Sequence, residues 1–252
     1  MDGGGFGLLD SAEWRGLFLH LQGRAKLYVG VFVLGFVAGY PAAEVLIEWF
    51  LNADGFIPDG VQVIILQPLE VILLQLRIAT QIGFGLLVAT LILDLAWNGR
   101  SGLSRASRSV SGTSGVARIF VALLTIIVLG GLGAAYAHNV LIPFLLQYLS
   151  EDAAASGLKS TWQLQSWIGF VTGLYFSSIV GFQIPVVIVV LLRAGVMERG
   201  AIVENRGFLW FAALFIGALI SPPDPISLFL VGGPMLVLLE LALVYDRAFS
   251  RG

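Results

Sequence analysis

The chain has 252 residues, 58% of them hydrophobic and only 12% charged, about half the charged share of an ordinary soluble domain, and its mean hydropathy is +0.91. So few polar side chains cannot cover a soluble protein of this size, and a formal net charge of -2 gives no reason to expect nucleic acid as a partner. The lack of cysteine excludes disulfides, thiolate metal sites and thiol catalysis, and two histidines, His20 and His138, leave little for a metal centre.

Residues 1–26 read as a cytoplasmic segment, Gly-rich and acidic at its start, without the basic, apolar pattern of a cleaved signal peptide. A membrane-spanning helix needs about 20 mostly apolar residues, because lipid offers backbone groups no partner. The first such stretch is Leu27–Phe50. Pro41 is expected to interrupt it, leaving Leu27–Tyr40 as the membrane part, with Glu44 and Glu48 beyond on one helical face. Asn52 to Pro68 holds Asp54, Pro58, Asp59 and Gly60 and reads as an ordered loop. Leu69–Trp97 follows as a helix of roughly 43 Å, longer than the bilayer core, so it tilts or projects. Arg100 to Gly115 is a Ser-, Gly- and Arg-rich loop. Ile119–Ile142 is a third span ended by Pro143, Leu145–Gln163 a polar stretch, Leu164–Leu192 a fourth span carrying Pro185, and Arg193–Arg206 a charged loop.

The last two spans, Gly207–Ile220 and Ser227–Val244, flank the turn Ser221-Pro222-Pro223-Asp224-Pro225-Ile226. Both look short: 14 residues reach only about 21 Å. Twelve of the 14 basic residues fall on one side of this layout, since only Arg77 and Lys159 lie elsewhere. By the positive-inside rule both ends are cytoplasmic. The expectation is an all-α, polytopic helical bundle: one domain of six transmembrane helices over 27–244, the last two short, with a cytoplasmic tail over 245–252.

Ionisable groups inside a membrane are costly and count first as functional candidates. Glu70 and Arg77, seven apart, share a face of the second helix and suit an interfacial ion pair or snorkelling near the headgroups, or else a role in a cavity. Gln183 lies beside Pro185, which frees the Gly181 carbonyl. Its amide would bond a neighbouring helix, the favoured reading, or face a polar groove. Glu240, deep in the sixth helix, needs a partner, a cavity or a reach to the headgroups. His138 and Asn139 suit an interfacial position, and Asp94 marks a helix end. No HExxH, GxSxG or phosphate-binding loop is present, so an enzyme is not expected.

Gly181 to Leu241 resembles TatC, the multispanning subunit of the twin-arginine protein translocase. Phe182-Gln183-Ile184-Pro185 stands where the family has Phe-Glu-x-Pro. Ser221-Pro222-Pro223-Asp224-Pro225-Ile226-Ser227 matches its Thr/Ser-Pro-Pro-Asp-Pro-x-Ser turn, and Pro234-Met235 and Glu240 follow in order. Gln67-Pro68-Leu69-Glu70 and Arg77 look like the start of the family's second helix. His20-Leu21-Gln22-Gly23-Arg24-Ala25-Lys26-Leu27 is similar to its His-Leu-x-Glu-Leu-Arg-x-Arg-Leu motif with one residue deleted.

The resemblance implies a cofactor-free, metal-free subunit for export of folded proteins across the cytoplasmic membrane. It implies single-span partners of the TatA/TatB type, twin-arginine signal peptides of cargo, membrane lipid around the bundle, and homo- or hetero-oligomers. It marks Glu70, Arg77, Gln183, Pro185 and Glu240 as candidates for holding a signal peptide or partner helix. His20, Leu21, Arg24, Lys26 and Arg206 are its cytoplasmic motif remnants, and Pro222, Pro223, Asp224 and Ser227 its structural turn. The two cytoplasmic glutamates that the family uses for paired arginines are missing, and its intramembrane glutamate is Gln183 here. Two alternatives follow: a divergent accessory subunit that reads no signal, or a small-solute transporter with Glu70, Arg77, Gln183 and Glu240 around a groove. Weak internal symmetry argues against the second.

Overall fold

A computed structural model describes residues 12–53, 56–58, 60–98, 115–157, 161–194, 199–220 and 225–249. A short helix α1 (Ala12–Gly23) bends at Arg24 into α2 (Ala25–Asn52), and a strand β1 (Gln62–Ile64) precedes α3 (Glu70–Asn98). Helix α4 (Gly115–Tyr136) passes through a π-helical turn, Ala137–Leu141, into α5 (Ile142–Ala155). Strand β2 (Thr161–Gln163) leads into α6 (Leu164–Gly181), and α7 (Ile184–Ala194), α8 (Arg199–Glu204), α9 (Arg206–Ile220) and α10 (Pro225–Phe249) complete the chain. Among the described residues four helical stretches are long and apolar enough to cross a membrane: Ala25–Asn52, Glu70–Trp97, Ile119–Ala155 and Leu164–Leu192.

Two prolines expected to stop helices do not. Pro41 lies inside the continuous α2. Spanning helices tolerate proline because neighbouring groups satisfy the freed carbonyl. Pro143 stands in the first turn of α5, directly after the π turn, so the polar stretch expected after it is largely helix, with Leu145 and Leu146 fully buried. The π turn widens the backbone just where Pro143 removes an N–H, so the helix continues through the proline instead of ending at it. Pro185 does break its span, which divides at Phe182–Gln183 into α6 and α7. Pro185 then occupies the first turn of α7, where no backbone N–H is needed.

The final pair is less symmetric than expected. Helix α9 has 15 residues, a rise of about 22 Å, but α10 has 25. Only the apolar part of α10, Leu228–Val244, is short. Ser227 belongs to the first turn of α10, not to a connecting turn, while Pro222, Pro223 and Asp224 lie outside the described residues. The expected charged loop before α9 contains α8.

Helices α2 and α3 touch through small residues. An added Cβ on Gly35 would lie 2.9 Å from the Gly83 Cα, and one on Gly39 would lie 3.1 Å from the Ala79 Cα. Gly35 and Gly39 form a G-x-x-x-G pair, which brings membrane helices to backbone contact where no hydrophobic force drives them together. The main core gathers α2, α3, the π turn, α5 and α6 around Leu74, Leu141, Leu145, Ile168 and Leu174. A smaller cluster joins Ile188, Ile202, Leu239 and Leu243. The rest is turned outward: Leu34 is 72% exposed and Phe120 65%. Apolar exposure on that scale suits lipid, not water.

One departure from an all-α reading is the parallel pairing of β1 with β2, Val63 opposite Trp162. It joins the approach to α3 with the approach to α6, so these two helices start side by side.

Candidate functional site

At the far end of α3 from this strand pair, Asp94 gathers three side chains from the N-terminal segment. His20 Nε2 lies 2.7 Å from Asp94 Oδ2 and the Tyr28 hydroxyl donates to the same oxygen at 2.7 Å, while Arg24 Nη1 pairs with Oδ1. The donors follow at intervals of four. Because the chain stays nearly helical through the bend at Arg24, they fall on one face. Asp94 is buried, but Arg24 is exposed over less than half of its side chain and His20 over about a quarter. Asp94 therefore does more than mark a helix end: it anchors α1 and α2 to α3. Leu21 and Lys26, from the same motif remnant, take no part in the cluster; Lys26 is exposed.

Glu70 begins α3 and is fully buried. Its Oε1 accepts from the backbone N–H groups of Leu66 (2.9 Å) and Gln67 (2.8 Å) and from Gln163 Nε2 (2.7 Å). Gln67, Pro68 and Leu69 make the turn that leads into α3, and the Glu70 side chain reaches back to the N–H groups that open it, as in a capping box. Gln163 ends β2, so one carboxylate holds the starts of α3 and α6 together. The Glu70–Arg77 ion pair weighed from the sequence is not found among the described residues. Glu70 faces the backbone, and Arg77 lies across α6 against Gly169 and Gly173.

At the α6–α7 break, Gln183 is buried and its Nε2 donates to the carbonyls of Ile126 on α4 (3.3 Å) and Ile179 (3.2 Å). This is the helix-bonding arrangement favoured from the sequence. Met235 of α10 covers the break, so that an added Cβ on Gly181 would lie 2.6 Å from its Cε. Gln183→Glu should therefore destabilise the bundle by about 1–3 kcal/mol, because a carboxylate cannot donate to two carbonyls. The loss should be larger at alkaline than at mildly acidic pH, where a carboxylic acid can still donate one bond. Thermal unfolding in detergent at the two pH values checks this.

Glu240 has the partner it needed. Trp210 Nε1 of α9 donates to its Oε1 at 3.1 Å, and the Arg206 guanidinium lies 6.0 Å above the Trp210 ring. Arg206, Trp210 and Glu240 thus form one exposed group across α9 and α10. His138 Nδ1 lies 2.7 Å from the Tyr175 hydroxyl, with the Trp49 ring stacked on it at 5.8 Å, and Asn139 bonds back to Ala135. Among the described residues no hydrogen bond or ion pair joins any two of Glu70, Arg77, Gln183 and Glu240, and no group of His, Asp and Glu could hold a metal ion.

A family model described as "Sec-independent protein translocase protein (TatC)" matches residues 18–234. The chain belongs to the TatC family. Relatives of that name include one from Haemophilus influenzae, 30% identical over 118 residues, an alignment spanning 47% of this chain and 46% of that protein. The chain thus spans less than half of that relative's length. One from Synechocystis is 27% identical, covering 87% of this chain and 83% of its own. The fold matches a crystal structure of the twin-arginine translocase receptor TatC with a TM-score of 0.69 at 22% identity, over 94% of this chain and 98% of that one. The TatC helical membrane fold is therefore present over most of the chain.

Sequence reasoning missed Asp94 and Tyr28 as members of a cluster. A signal existed: a lone acid in an apolar helix needs a partner, and His20, Arg24 and Tyr28 present donors at helical spacing.

Proposed function

We propose that this TatC-family chain is the multispanning subunit of a twin-arginine translocase, a non-enzymatic component in the export of folded proteins. The family match over residues 18–234 carries this reading. On it, α2, α3, α4–α5, α6–α7, α9 and α10 are six spans of a single domain in the cytoplasmic membrane, with both ends cytoplasmic. The one-sided distribution of Lys and Arg supports that orientation. Single-span partners of the TatA/TatB type would lie against the outward apolar faces, in homo- or hetero-oligomers. Of the residues offered for holding a signal peptide or partner helix, Arg77 is exposed and half-buried Glu240 is grouped with exposed Arg206 and Trp210, so these two positions are the accessible ones. Glu70, Gln183 and Pro185 are assigned to the scaffold that supports it.

A second reading, an accessory subunit that reads no signal, is favoured by one observation. Paired guanidinium groups call for free carboxylates, and Asp94 is already engaged by Arg24 and His20. Crosslinking decides between them. A twin-arginine signal peptide carrying a photoreactive group, offered to this protein in membranes, should label it. A peptide with both arginines replaced by lysine should label it much less. Equal labelling by the two peptides would sink direct recognition and leave the accessory role.

A further inference from the structure

Arg77 is the one basic residue within α3, two turns in from Glu70. Its guanidinium lies in the groove between α3 and α6. An added Cβ on Gly169 would come within 3.2 Å of Cζ, and one on Gly173 would lie 3.6 Å from Nη2. Ser166, Gly169 and Gly173 share one face of α6, so the absence of side chains at the two glycines makes the notch that admits the guanidinium. Arg77 remains exposed, and among the described residues it makes no hydrogen bond or ion pair. Glu70, the nearby acid, directs its Oε1 to three other donors.

A cation exposed on a membrane helix is costly unless an anion meets it. Helical side chains lean toward the helix N-terminus, here the end where α3 and α6 begin beside the strand pair. That end is where a headgroup would be reached, and flanking Leu73 and Leu76 are 44% and 38% exposed, an apolar path for acyl chains. A guanidinium offers paired N–H groups that match a phosphate. We propose that Arg77, seated in the Gly169–Gly173 notch, is a binding site for the phosphate of a membrane phospholipid.

Native mass spectrometry and thermal unfolding of the full chain in mild detergent test this, with phosphatidylglycerol as the probe and diacylglycerol of the same chains as the phosphate-free control. The unaltered protein should retain phosphatidylglycerol and unfold at a higher temperature with it, and diacylglycerol should do neither. Arg77→Gln should weaken retention about tenfold, and Arg77→Lys should fall between. Gly169→Ala keeps the charge but pushes the guanidinium from its seat, so it should also weaken retention; it keeps the test open if Arg77→Gln does not fold. Retention by Arg77→Gln equal to that of the unaltered protein overturns the proposal. So does equal retention of diacylglycerol, or capture of Arg77 by a carboxylate of another membrane helix with lipid retention unchanged.

Discussion

Replacing Asp94 with alanine should release the N-terminal helix from the bundle, and trypsin should then cut at Arg24 and Lys26 at least about ten times faster. Hydrogen bonds to a charged group contribute about 1.5–3 kcal/mol each, and His20, Arg24 and Tyr28 all spend theirs on this carboxylate. Arg24 and His20 keep contact with water, which screens their share, whereas the Tyr28 hydroxyl is buried and loses its acceptor outright. The net loss should be about 2–3 kcal/mol, read as a lower thermal midpoint alongside the faster cleavage. Asp94→Asn keeps an acceptor for Tyr28 but no charge, and should fall between. Unchanged cleavage in Asp94→Ala would show that α1 is held by other contacts.

The second large effect is expected at Glu70. Alanine there strips the acceptor from two backbone N–H groups and from Gln163 at a fully buried position. Leaving a buried donor unsatisfied costs about 1–3 kcal/mol, so a total of about 3 kcal/mol is expected after local rearrangement. Glu70→Gln, which still accepts but carries no charge, should recover roughly half. Because one carboxylate ties two segments, hydrogen exchange should speed up together over residues 62–70 and 161–168. Faster exchange confined to the first segment would mean that the Gln163 link contributes nothing.

Much of the fold could be read from the residues, and the misses share a cause. Composition marks the lipid setting, and the apolar run of α3 is found within a residue of each end. The break at Pro185 and the bonding role of Gln183 follow from local chemistry. Pro41 and Pro143 mislead because the rule that proline ends helices comes from water-exposed chains; in lipid the helix is the only structure available to that backbone. Gly35 and Gly39 carry a visible packing motif, but its partners at Ala79 and Gly83 appear only once α3 is laid alongside. The Asp94 cluster joins residues about 70 positions apart, and no spacing rule links an acid on one helix to a helical row of donors on another. Strands of three residues lie below what alternation can reveal.

The β1–β2 pair carries a consequence for the order of assembly. Its strands are parallel and about 100 residues apart, so it closes a long loop, and the entropy of that closure has to be met before the pairing returns anything. Helices α2 and α3 can come together early, on contacts between neighbours in the chain. The clasp at the start of α3 cannot close until α4, α5 and the first turn of α6 have been made. Glu70 therefore waits for Gln163, and the last step in completing the first half of the molecule depends on the arrival of the second.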